Sequence, residues 1–197
     1  MTSFTILVLV IVLLGLAYVS HFNSIHEVRG EEQKEEVLHN FPFEWKGKTY
    51  WYSPSMAVAM FATCFDKNGV LHILANKRGE GCPDFNGCWN APCGYLDFGE
   101  TLKAAAIRET KEECGIVIPE DKVNWWTYED TFKFNNNVVH RFIALLDGTI
   151  DDYQFNTSGM EENEVSDVAW IKLDDVDNYK WAFNHKELVK QVLSKNI

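Results

Sequence analysis

A chain of 197 residues, 46% hydrophobic and 14% aromatic, is long enough to bury a full core and reads as one moderate domain with an appendage. Its 18 basic and 29 acidic residues give a formal net charge of −11 and a pI near 4.9. That balance offers no basic face to release counterions, which excludes nonspecific binding to a nucleic acid duplex, and any polyphosphate ligand would have to be met through cations.

The appendage comes first. Phe4 to Val19, FTILVLVIVLLGLAYV, carries no charge. As a helix it would span roughly 24 Å, and extension to Phe22 brings this to about 29 Å, near the hydrocarbon thickness of a bilayer. Residues 1–22 are therefore predicted to form an N-terminal hydrophobic helix that anchors the chain in a membrane with a single pass. A cleaved signal peptide is the rival reading, although no basic residue precedes the run and no small-x-small site clearly follows it. A packed core helix is the third, but apolar residues on every side would need burial all round. Arg29 and Lys34 follow the run, which by the positive-inside tendency leaves the remaining chain in the cytoplasm; a soluble cytoplasmic protein is the alternative. Residues 23–45 include the acidic stretch EVRGEEQKEEV and read as a linker or exposed helix, with the domain proper at 46–197.

Within that domain, Ser55–Phe65 and Val70–Asn76 flank the turn DKNG and predict a hairpin. Cys82, Cys88 and Cys93 follow at spacings of six and five, which match no common zinc motif, so reduced thiols are the simpler account. Residues 94–116 read GYLDFGETLKAAAIRETKEECGI: a glycine-rich turn to Glu100, then helix formers through Glu113, with a stop at Gly115. Glu109, Glu112 and Glu113 stand at i, i+3 and i+4 and share one helix face. Like charges at i, i+4 cost about 0.2–0.5 kcal/mol each, and near a helix C-terminus the macrodipole disfavours anions further. Arg108 can pair with Glu112, but one arginine does not neutralise three carboxylates. A divalent cation would, and oxygen-only donors suit Mg²⁺ or Mn²⁺ better than zinc.

Lys122–Phe134 and Val138–Leu146, joined by the asparagines at 135–137, predict a second hairpin; Val168–Leu173 is a further strand, and HKELVKQVL from His185 a closing amphipathic helix. Phe85, Trp125, Trp126, Phe132 and Phe134 could stack a base, though aromatic residues on strands are more often core. For His185, capping or surface packing is as good an account as substrate contact.

The stretch from Gly94 resembles the signature of the Nudix hydrolases, G-x5-E-x7-R-E-U-x-E-E-x-G-U with U apolar. Gly94, Glu100, Arg108, Glu109, Glu112, Glu113, Gly115 and Ile116 fall on it, and Thr110 departs at a position usually aliphatic. The flanks GCWNAPCGYLDFGET and VSDVAWIKLDDV are also similar to the family, so the resemblance covers roughly residues 46–197. It implies an α/β fold, the Nudix-type α/β/α sandwich with a mixed sheet, and Mg²⁺- or Mn²⁺-dependent hydrolysis of a diphosphate bond in a small-molecule nucleoside diphosphate derivative. A non-catalytic nucleotide-binding sensor of the same fold is the alternative. By the family pattern, Glu109 and Glu113 ligate metal directly, Glu112 directly or through water, and Cys93 through its carbonyl. Arg108 holds the carboxylates in place, Glu100 supports the site, and Gly94 and Gly115 shape it. The general base is Glu109 or Glu164, the latter six residues before Trp170 in an acidic loop that could equally be mere surface. Neither the leaving group nor the oligomeric state is legible in the sequence.

Overall fold

The computed structural model describes residues 41–131, 137–155 and 163–195. The expected anchor at 1–22 and most of the linker lie outside them; among the described residues no helix is long and apolar enough to cross a membrane. Residues 41–45, expected at the end of the linker, instead form a strand. β1 (Phe41–Trp45) pairs antiparallel with β2 (Lys48–Tyr52) around a turn at Lys46 and Gly47, both at positive φ. The pairing is driven by aromatic cross-strand contacts: Phe41 on Tyr52 at 5.1 Å and Phe43 on Tyr50 at 5.7 Å.

From Pro54 onward the chain forms a separate compact body. Its strands are β3 (Ser55–Phe65), β4 (Leu71–Arg78), β5 (Trp89–Asn90), β6 (Cys93–Tyr95), β7 (Val123–Thr131), β8 (Asn137–Leu145) and β9 (Val165–Lys172). Helix α1 spans Leu102–Cys114 and α2 spans His185–Lys195. The sheet runs β5-β4-β3-β8-β7, with β6 on β3 and β9 on β4. β3 and β8 are parallel and the remaining pairs antiparallel, so the sheet is mixed as expected.

Strand β3 runs through the middle and is buried from Val58 to Cys64, which accounts for its unbroken apolar run. Val58, Met60 and Ala62 pack with Ala105, Ala106 and Cys114 of α1, whereas Ala59 and Phe61 pack with Leu188, Val189 and Val192 of α2. One helix thus covers each face, giving the α/β/α sandwich. The predicted first hairpin forms: Asp66 Oδ1 accepts the amides of Asn68 and Val70, and Gly69 takes φ 78°. The second hairpin is the β7–β8 pair; Phe132, Phe134 and the first two asparagines of its turn fall outside the described residues. Strand β9 begins at Val165 rather than Val168, because β4 extends to Arg78 and offers partners that far.

Candidate active site

Local sequence sets the helix that carries the site. Thr101 Oγ1 accepts the amide of Ala104 at 3.1 Å and starts α1; Gly115, at φ 71°, ends it by donating to the Lys111 carbonyl. Thr110 is fully buried, and its hydroxyl donates to the Ala106 carbonyl at 2.7 Å, so the methyl packs and no polar atom is stranded.

Arg108 is the hub. All five of its N–H donors are used: Nε and Nη2 to the two oxygens of Glu100 (3.2 and 2.8 Å), Nη1 to Glu109 Oε1 (2.7 Å) and Glu112 Oε2 (2.8 Å), and Nη2 again to the Tyr95 carbonyl (2.9 Å). The hydrogen bonds that Arg108 donates to these acids, led by Glu100, hold the guanidinium charged far beyond its ordinary range. Glu100, in turn, accepts the amide of Asp97 and is pulled below the usual carboxylate range, mainly by Arg108. The expected i,i+4 pair with Glu112 is therefore one part of a fork that also grips the start of the helix.

Glu113 lies outside that fork. Its Oε2 accepts the Cys93 amide at 2.9 Å, and burial pushes its carboxyl up to about 8, against the lowering effect of that amide; Glu109 and Glu164 push it further and Arg78 opposes them. Burial likewise raises Glu109, against the pull of Arg108. Gly94 lies directly beneath Glu109: a Cβ there would sit 2.3–2.4 Å from the carboxylate carbon and both oxygens. Only glycine admits this carboxylate against β6, which gives the first residue of the motif a steric reason.

Among the described residues no three Asp, Glu, His or Cys side chains are already gathered as a cation cage. Glu109 and Glu112 are turned onto Arg108, and Glu113 onto the Cys93 amide. The donor set nonetheless fits a hard divalent cation. It is all oxygen; the second oxygens of Glu109, Glu112 and Glu113 take no hydrogen bond from the described residues; and Glu113 is a carboxyl whose charge awaits a compensating one.

Cys93 meets the site through its amide, while its half-buried thiol accepts Asn90 Nδ2 at 3.4 Å and stays protonated. Glu164 is exposed at the mouth of β9. Its carbonyl accepts the Gly79 amide (2.7 Å) and the Cys82 thiol (3.2 Å), and its charge reaches Glu113. Gly79 is obligatory at this junction, because a Cβ would lie 2.0 Å from the Asn163 carbonyl oxygen. Asn163 and Glu164 are thus held to Gly79, Gly81 and Cys82 through their backbone carbonyls. His185 differs from expectation: it is buried, not on the surface, with Nδ1 accepting the Ala91 amide at 3.1 Å and burial holding its pKa down to about 3. Sequence reasoning also missed Arg78, whose charge reaches Glu113, and the Tyr95 carbonyl, which completes the Arg108 fork. A basic residue immediately before Gly79 is the only local sign of the former.

Residues 54–192 match the family described as the NUDIX domain, and the chain belongs to that family. It is 29% identical over 129 residues to an ADP-ribose pyrophosphatase of Methanocaldococcus jannaschii, covering 65% of this chain and 68% of that protein. With the nucleoside triphosphatase NudI of Escherichia coli it shares 28% over 112 residues, covering 56% and 77%. With a MutT4 mutator-type protein of Mycobacterium tuberculosis it shares 30% over 89 residues, 43% of this chain but only 33% of that protein. In fold it is similar to the NUDIX domain of Shewanella oneidensis NrtR, a structure complexed with ADP ribose, at a TM-score of 0.61 and 22% identity over 79% of this chain and 94% of the other.

Proposed function

We propose that this chain is a Mg²⁺- or Mn²⁺-dependent pyrophosphohydrolase that cleaves the diphosphate bond of a nucleoside diphosphate linked to another group. The observation that carries this reading is the set of carboxylates itself: Glu109 and Glu112 fixed by one fully engaged arginine, with Glu113 half-buried beside them. Relatives that include an ADP-ribose pyrophosphatase and a nucleoside triphosphatase support it.

Glu109 and Glu113 would hold the cation, joined by Glu112 and the Cys93 carbonyl. Bound there, the cation neutralises diphosphate charge and lowers the pKa of the attacking water. Arg108 offsets the mutual repulsion of the carboxylates and ties them to the sheet through the Tyr95 carbonyl. Glu109 is engaged by Arg108 and packed on Gly94, which suits it to holding a ligand. The proton of the attacking water is then assigned to the Glu164 carboxylate, a residue whose carbonyl is bonded to Gly79 and Cys82.

Phosphate release through a coupled phosphatase, from a panel of nucleoside diphosphate derivatives, tests the activity. Turnover that Glu113→Gln abolishes with the fold intact supports an enzyme; nucleotide binding without turnover in the wild type supports the sensor reading. The uncharged run Phe4–Val19 supports a further part of the proposal: residues 1–22 anchor the body that begins at Pro54 to the cytoplasmic face of a membrane. Retention of the full chain in the membrane pellet after carbonate is the expected result, and its release would refute anchoring.

A further inference from the structure

Two phenylalanines adopt a backbone conformation that bulky residues avoid: Phe85 at φ 52° and Phe183 at φ 54°. They come from separate segments, the β4–β5 loop and the stretch before α2, yet their rings meet at a centroid distance of 4.9 Å and an interplanar angle of 59°. Neither ring is core: 46% of Phe85 and 38% of Phe183 remain exposed. Neither strained backbone buries its ring, and such outliers concentrate at ligand sites.

The surroundings hold the pair rigid. Arg78 sits with its guanidinium carbon 5.2 Å from the Phe183 ring centre, and is fixed by Asp84 through the carboxylate (2.6 Å) and the carbonyl (3.0 Å). The buried His185 packs against Phe183 at 5.3 Å. The segment before Phe183 is bonded to β5 on both sides of Trp89, through Trp89 N–H to the Lys180 carbonyl and Ala182 N–H to the Trp89 carbonyl. The platform also adjoins the carboxylates. Arg78 is followed by Gly79, which donates to Glu164, and the Arg78 charge is felt at Glu113.

We infer that Phe85 and Phe183, braced by Arg78, form the stacking platform for the base of the nucleotide, an assignment that rests on the function proposed above. A planar base laid on one of these rings would meet the other edge-on, because the two planes are inclined by 59°, and would extend its sugar and diphosphate past Arg78 toward Glu113 and Glu164. Every base has a π face, so the platform selects nucleoside diphosphates over base-free diphosphates without choosing among bases.

The test is calorimetric binding to the full chain with Mg²⁺, using ADP, GDP, CDP and UDP against inorganic pyrophosphate. Phe183→Gly and Phe85→Gly remove a ring while relieving positive φ, so loss of fold is not the expected consequence. Each is expected to weaken nucleoside diphosphates by roughly tenfold or more and to leave pyrophosphate unchanged, with Phe183→Tyr retaining wild-type affinity. Equal weakening of pyrophosphate, unchanged nucleotide affinity, or a wild type that does not prefer nucleoside diphosphates to pyrophosphate would each overturn the platform. Base-dependent binding with no turnover of any derivative would sink the hydrolase reading and leave the platform standing.

Discussion

Gly94→Ala isolates the geometry of the site from its chemistry. The added Cβ would lie 2.3 Å from the Glu109 carboxylate carbon and 2.3–2.4 Å from its oxygens, about 1 Å inside ordinary van der Waals contact at 3.4 Å. Gly94 does not sit at positive φ, so alanine meets no backbone penalty, and the steric load falls on a side chain that can swing. Glu109 must retreat by about 1 Å, which stretches its 2.7 Å bond to Arg108 and moves it from its place beside Glu113. A misplacement of that size costs on the order of 10²-fold in rate, whereas stability should fall by less than about 1 kcal/mol because the carboxylate can move toward solvent. The assay is steady-state phosphate release with saturating Mg²⁺, paired with a thermal melt of the same preparation. Turnover above a third of wild type would refute the claim that this contact positions Glu109. A collapse of the melting temperature would show instead that the glycine serves the fold.

Arg108→Lys keeps the charge but offers three donors from one point instead of a five-donor fork; kcat is expected to fall roughly 10²-fold, and a loss below threefold would show that charge alone suffices. Glu113 predicts an unusual stability profile without metal. Its folded pKa, about 8, lies above its ordinary 4.5, so the folded state binds the extra proton and stability falls as pH rises from about 4.5 through 8. The drop should be on the order of a few kcal/mol, read as a decline in Tm between pH 5.5 and 8.5 in EDTA that Glu113→Gln flattens and Mg²⁺ reverses; parallel declines in both proteins would discount the burial argument. Glu164→Gln should lower kcat by about 10²–10⁴-fold and remove the acid limb of its pH profile if this residue takes the proton, and a change under threefold would return the role to Glu109. Thr110→Val should alter Tm by no more than a degree or two on calorimetry, the hydroxyl being satisfied within its own helix.

What the sequence disclosed about this site follows from the range over which each constraint acts. Helix α1 was legible to within a residue because Thr101, the run of helix formers and Gly115 act within a turn of their own positions. The shared face of Glu109, Glu112 and Glu113 follows from helical period alone. The partners of those carboxylates do not. Glu113 meets Cys93 only because β6 pairs β3 in a register that sets Ala59 opposite Cys93, and Glu164 meets Gly79 only because β9 runs along β4 to Arg78. These pairings join residues 20 and 85 positions apart, which no local pattern encodes. The β1–β2 hairpin was missed for the opposite reason: its aromatic residues gain from facing one another across strands, a benefit invisible in a segment scored for charge. His185 was misplaced because its polarity suggests surface, whereas a neutral imidazole that accepts one buried amide is at home in a core. The least legible features, positive φ at Phe85 and Phe183 and the arginine over the Phe183 ring, are also those that no rule of folding demands. Residues bent against their own preference toward solvent, beside acids whose carboxyls burial raises above their usual range, are what a site for an anionic aromatic ligand requires of its protein.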